Sequence, residues 1–324
     1  MQPSRLKGAR LKGMRLKPGR TSLAISLCLL GGAFNAQAQD ATALQDQEPQ
    51  AEPAPTPTGT SGKLLLTGGV TQIEGAAGGG LTPWAVIGGY GTRDQIGANA
   101  YYTRVNLSDY NLQSHGALVG IRDRVELSVS RQAFDTEAVG AALGLGHGFT
   151  IRQDTYGLKV KIAGDAVLEQ DSWMPQVAVG VQFKHNDQGG LLSAIGAKSA
   201  NGTDVYISAT KLYLAQSLLL NATVRFTKAN QFGILGFGGD RHDGYKPQFE
   251  GSAAYLLNRN LAIGAEYRSK PDNLNIAHEN NAWDAFIAWA PAKHVSVTVA
   301  YVDLGNIVIR DNQRGWYASL QVGF

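Results

Sequence analysis

The last ten residues, Gly315 to Phe324 (GWYASLQVGF), limit the fold more than any other stretch of this chain. Trp316, Ala318, Leu320, Val322 and Phe324 share one parity, and Tyr317, Ser319, Gln321 and Gly323 share the other. A period of two makes this a strand with one wholly apolar face, ending in an aromatic residue. A soluble sheet with such a strand at its edge would present unpaired backbone groups and an apolar surface, which invites aggregation. In a transmembrane barrel the strand pairs with the first one and its apolar face meets lipid. Barrel closure through Trp316, Leu320 and Phe324 is therefore expected. An internal strand of a soluble sandwich has the same period, so the rest of the chain has to decide.

Seven basic residues from Arg5 to Arg20 precede an apolar run, Leu23 to Leu30, and a small-x-small site, Ala36-Gln37-Ala38. The run is too short to span a bilayer and has the form of a secretory signal peptide over residues 1–38, with translation starting at Met1 or Met14. Its loss would remove seven of the 29 basic residues and none of the 26 acidic ones, taking the formal charge from +3 to −4. The basic balance thus belongs to targeting and gives no warrant for nucleic-acid binding. The only cysteine, Cys28, lies inside the apolar run, so the mature protein is expected to lack disulfides. Residues 39–62 are acidic and carry Pro49, Pro53, Pro55 and Pro57; they read as a flexible periplasmic segment.

From residue 63 to 324 the pattern is all-β and predicts a transmembrane antiparallel barrel. The strand-like runs are 64–70, 83–91, 95–105, 110–120, 123–132, 154–164, 174–185, 203–214, 217–228, 248–257, 260–269, 281–290, 294–302 and 315–324. This gives fourteen strands, or twelve if residues 64–91, with Pro83 and the glycines of 75–80, supply an interior segment instead. Most runs approach the 9 to 11 residues that cross a bilayer obliquely. Alternation is clear in 217–228, where Leu218, Leu220, Ala222, Val224 and Phe226 oppose Leu219, Asn221, Thr223, Arg225 and Thr227. Connections alternate between short and long, as in barrels whose two termini are both periplasmic. Aromatic residues near the strand ends, among them Trp84, Tyr90, Tyr101, Tyr110, Trp283, Trp289 and Trp316, suggest interfacial belts.

The polar parity places Glu126, Lys159, Lys161, Lys184, Arg225, Glu266, Arg268 and Asp284 as candidate lumen-lining residues. Mixed charge of this kind either sets ion preference in a hydrated lumen or pairs across a narrow one. Passive passage of small polar solutes or ions is the leading functional expectation. An inward fold of the Gly75–Gly80 stretch, or of the loop Ala229 to Pro247 with its Phe232, Ile234, Leu235 and Phe237, would give a plugged transporter for hydrophobic substrates or a structural, secretion-associated barrel.

A membrane lipid hydrolase ranks below these. None of the six histidines forms HExxH, and neither a GxSxG elbow nor a phosphate-binding glycine loop is present, so no catalytic residue, metal site or cofactor is assigned. The loop Gly238 to Gly244 has carboxylates but reads as a solvated turn. The expected partners are outer-membrane lipid and the barrel-assembly machinery, with homo-oligomerisation open.

The strings GKLLLTGGVTQIEGAAGGG at 62–80, PWAVIGGYGTRDQIGANAYYT at 83–103 and YNLQSHGALVGIRDRVELSVSRQAFDT at 110–136 carry a resemblance. They resemble an uncharacterised, DUF3034-like family of Gram-negative outer-membrane proteins, over essentially the whole folded region. The resemblance implies residence in the outer membrane and supplies no functional residues.

Overall fold

The wall of the molecule is built from the strands whose period of two was clearest. A computed structural model describes residues 62–324; the expected signal peptide and the linker up to residue 61 lie outside the described residues. Two short strands, β1 (Val70–Thr71) and β2 (Ala77–Gly78), form a small hairpin. Twelve longer strands follow: β3 (Ile96–Leu107), β4 (Asn111–Ile121), β5 (Val125–Asp135), β6 (Thr150–Ala163), β7 (Gln176–Asn186), β8 (Asn201–Tyr213), β9 (Leu218–Thr227), β10 (Lys246–Asn258), β11 (Leu261–Arg268), β12 (Ala282–Ala292), β13 (Val295–Asp303) and β14 (Arg314–Gly323). Each pairs antiparallel with its neighbours in sequence, and β14 pairs with β3, so the sheet is a closed, membrane-spanning barrel of twelve strands. Closure removes the exposed edge that the terminal strand would otherwise present.

Twelve is the lower of the two expected counts. The runs at 64–70 and 83–91 do not join the wall, and β14 closes on β3 rather than on a strand starting near Leu64: Trp316 stands opposite Asn106 and Leu320 opposite Tyr102. Beyond the last strand, the Phe324 N–H donates to the Ala98 carbonyl at 2.8 Å, and the Phe324 carbonyl accepts from Ala98 and Tyr90, each at 3.0 Å.

The outer face is apolar. Leu127, Val129, Leu158, Val205, Ile207, Leu220, Ile263, Ile287 and Val299 are exposed there, which in water would be costly and in lipid is favourable. On β10 to β14 an aromatic row made by Phe249, Tyr267, Trp283, Tyr301 and Trp316 runs near the long-loop end, with Tyr255, Trp289 and Phe324 towards the other. Tyr301 meets Trp316 edge-on at 5.6 Å. Four aromatics of the expected belts are elsewhere. Trp84 and Tyr90 belong to the segment before the wall, while Tyr101 and Tyr110 are buried, Tyr101 on the Ser114 hydroxyl and Tyr110 stacked on Phe134.

The connections at one end are 122–124, 164–175, 214–217, 259–260 and 293–294, all short except 164–175; those at the other end, 136–149, 187–200, 228–245, 269–281 and 304–313, are long, with the short 108–110 among them. Two long connections carry one-turn helices, α1 (Glu137–Ala142) and α2 (Gly189–Ala194). Gly62, next to Tyr90 and Lys293, and Phe324 both lie at the short-turn rim.

Candidate functional site

Residues 62–95 enter the barrel from the short-turn rim, fill its lumen and return to the same rim, where β3 begins. The Lys63 N–H donates to the Tyr90 carbonyl at 3.1 Å and closes this plug as a loop. Its apolar side chains from Val70 to Ile87, among them Ile73, Leu81, Trp84 and Val86, are buried, while Leu64 at the rim is exposed. A segment with so little secondary structure of its own leaves many backbone groups to be satisfied elsewhere. The inner wall supplies the partners. The Ile73 carbonyl accepts from Gln132 (2.8 Å) and Ser114 (2.6 Å), and the Pro83 carbonyl accepts from Thr223 (3.0 Å) and Asn221 (3.3 Å). Ala85 donates to Thr210 and accepts from Gln176, each at 2.7 Å.

Three charged clusters hold the plug. The largest centres on Glu74, between β1 and β2. One of its oxygens accepts from Lys184; the other accepts from Arg268 at 2.8 Å and lies 4.0 Å from Arg225. Lys184 also reaches Asp204 at 2.6 Å, and Arg225 and Arg268 share Glu250. Three cations therefore face three carboxylates in a dry interior, where only mutual neutralisation makes burial tolerable.

The second cluster is Glu126 and Lys159, 3.1 Å apart and each 1% exposed. Glu126 accepts from the Ala77 and Gly88 N–H groups at 3.0 and 2.8 Å; Lys159 donates to the Ala77 and Trp84 carbonyls at 2.9 and 3.1 Å. In the third, Glu266 accepts from the Leu81 N–H (2.7 Å), the Thr82 hydroxyl (2.5 Å) and the Ser252 hydroxyl (2.8 Å), with Asp284 directly opposite it on β12.

All eight candidate lumen residues point inward. Lys184, Arg225 and Arg268 converge on one point, while Lys161 stands apart at the rim, bonded to Asp123, which also pairs with Lys63 at 2.6 Å. Their neighbour is the plug rather than an open channel. Sequence reasoning missed Glu74, Asp204 and Glu250, although Asp204 and Glu250 lie on the polar parity of their strands.

The long-loop end is closed by the loop after β9. Asn230 to Gly233 turn inward and are buried, with Gln231 and Phe232 at φ of 44° and 61°, a strained conformation for non-glycine residues. Phe232 lies under the Arg268 guanidinium at 4.2 Å, and its carbonyl accepts from Lys184 at 3.2 Å. Glu279, in the loop after β11, accepts the Gln231 N–H on both oxygens at 2.9 Å, and Lys270 donates to the Gln231 side-chain carbonyl at 2.7 Å.

Burial pushes the Glu279 carboxyl up to about 7, although Lys270 and the Gln231 N–H pull it down. A carboxyl raised above its unfolded value of 4.5 contributes stability that is complete below that pH and is lost as the pH rises through 7. Lys270, which burial lowers to about 8, loses its contribution as the pH falls from the unfolded 10.5 through 8, so it is nearly constant at pH 5 to 7. Amide exchange at Gln231, corrected for intrinsic rates, should therefore show more frequent opening at pH 7 than at pH 5. Glu279→Gln should flatten that dependence.

Residues 67–321 match the family described as "Protein of unknown function (DUF3034)". The chain belongs to this family. No curated protein matches it. Solved structures that the chain matches include the KdgM porin, at 10% identity and a TM-score of 0.45 over 70% of this chain and 99% of that one. Others are the Acinetobacter baumannii outer membrane protein Omp33 (6%, 0.43, 72% and 100%) and the outer membrane phospholipase A of Escherichia coli (9%, 0.40, 73% and 94%). With its apolar outer face and polar inner wall, this DUF3034 protein is an outer-membrane barrel.

Proposed function

We propose that this barrel is a passive channel for small polar solutes or ions, held shut by its own plug, with both mature termini on the periplasmic side. The inner wall carries the reading. It is lined by Thr103, Gln132, Gln153, Gln182, Thr210, Asn221, Gln248 and Ser319 as well as by the charged clusters, so a barrel relieved of its plug has a hydrophilic lumen. Apolar wall side chains such as Leu118, Leu212 and Phe286 stand among them and pack against the plug. Both ends of the plug emerge at one rim, so a pull at Gly62 withdraws it without threading the chain through the barrel. In this reading the protein carries out no covalent chemistry, and its partners are outer-membrane lipid and the machinery that inserts barrels.

Planar-bilayer recording tests the reading. The full-length protein should stay shut with rare openings, and a variant lacking residues 64–91 should give a steady ohmic conductance in potassium chloride. Correct folding of the variant would be checked by its heat-dependent shift in electrophoretic mobility. A folded, inserted variant that conducts nothing would overturn the proposal.

A further inference from the structure

Asp284 is the one acidic residue of the three clusters whose two carboxylate oxygens both lack a hydrogen-bond partner within the protein. It is 1% exposed. Glu266 faces it across the β11–β12 ladder, and Tyr317 on β14, also 1% exposed, has a hydroxyl with no protein partner. These groups converge. A Cβ placed on Gly80 of the plug would lie 3.3 Å from Asp284 Oδ2, 3.4 Å from Tyr317 Cζ, the carbon bearing the hydroxyl, and 3.6 Å from Glu266 Oε2. One on Gly79 would come within 2.0 Å of Glu266 Oε1. At Gly79 only glycine lets the plug backbone approach Glu266, and Gly80 turns the same side of the plug towards Asp284 and Tyr317.

Its charge is uncompensated. Among the described residues neither Glu266 nor Asp284 forms an ion pair; the nearby Arg268 is committed to Glu74 and Glu250. Two adjacent carboxylates in a dry interior cannot both stay ionised without a positive partner. We propose that Glu266, Asp284 and Tyr317 bind one divalent hard cation, Ca²⁺ or Mg²⁺, between the wall and the plug. The donors are carboxylate and phenol oxygens, with neither thiol nor imidazole, which suits a hard cation and disfavours zinc or copper. Among the described residues no group of three or more His, Cys, Asp or Glu side chains could hold a metal ion, so the protein's share of the shell is two carboxylates and one phenol. Because Glu266 also grips Leu81 and Thr82, the cation fastens that part of the plug to the wall.

The test uses full-length barrel refolded in detergent without lipopolysaccharide and stripped with a chelator. Thermal unfolding is followed during titration with calcium chloride and, separately, magnesium chloride at constant ionic strength, and equilibrium dialysis with radioactive calcium counts the sites. A saturable rise in Tm of several degrees with one of the two cations is expected, absent in Asp284→Asn. Tyr317→Phe should weaken it about tenfold or more. Should Asp284→Asn not refold, Glu266→Gln gives the same readout. If the wild type and the variants respond alike to both cations, the proposal fails. These readouts do not depend on conductance, so the cation site and the channel stand or fall separately.

Discussion

Glu74→Gln is expected to turn a shut barrel into one that opens in frequent bursts. Glu74 is the only member of its cluster carried by the plug; Lys184, Arg225, Arg268, Asp204 and Glu250 all stand on wall strands. Its removal leaves three buried cations facing two carboxylates. Breaking a buried pair from one side costs about 3–5 kcal/mol, because the partner stays buried and uncompensated. The cost falls on the shut state, since water entering behind a withdrawn plug would solvate the wall cations. At about 1.4 kcal/mol per factor of ten, the ratio of open to shut should rise on the order of a hundredfold or more. Glu74→Asp keeps the charge on a shorter side chain and should fall between. Single-channel recording reads the open fraction, and proteolysis of the plug reads its exposure. If both match the wild type in Glu74→Gln, the cluster is not what holds the plug.

The twelve wall strands could be found from sequence because one face of each meets lipid and the other a polar interior, which writes a period of two into every run. The inward direction of Lys159, Lys184, Arg225 and Asp284 came from that parity alone. The segment 64–91 was harder. PWAVIGGY at 83–90 has the length and apolar content of a strand, but it pairs with no wall strand along its length: Trp84 bonds back to Ala77 of β2, and Ala85 bonds to the wall side chains Thr210 and Gln176. Local sequence does not record which partner satisfies a backbone N–H. The glycines of 78–80 were the available signal, since they mark close approach to another surface. Glu74 stood between Ile73 and Gly75 with no periodic run to give it a direction, so the cluster it completes was visible only in three dimensions.

Glu126→Gln and Lys159→Met remove opposite ends of one buried pair, and unequal outcomes are expected. The Glu126 carboxylate serves two plug N–H groups, Ala77 and Gly88, as well as Lys159. A glutamine there has one acceptor oxygen for the same donors, so its own amide hydrogens are driven against a plug N–H while the ammonium loses its counter-charge. A cost of about 3–5 kcal/mol follows. Lys159→Met also leaves a buried charge alone, but the carboxylate keeps both backbone donors, and the Ala77 carbonyl keeps the Trp84 N–H at 3.2 Å. Its cost should fall at the lower end of the same range, about 3 kcal/mol. The double variant should cost less than the sum of the two, because neither charge is then left alone. Hydrogen exchange at the Ala77 and Gly88 amides measures all three on one scale. Conductance recorded on the same samples separates two roles for the plug: exchange and conductance rising together mark a gate, whereas exchange rising in a barrel that never conducts marks a core that props the wall.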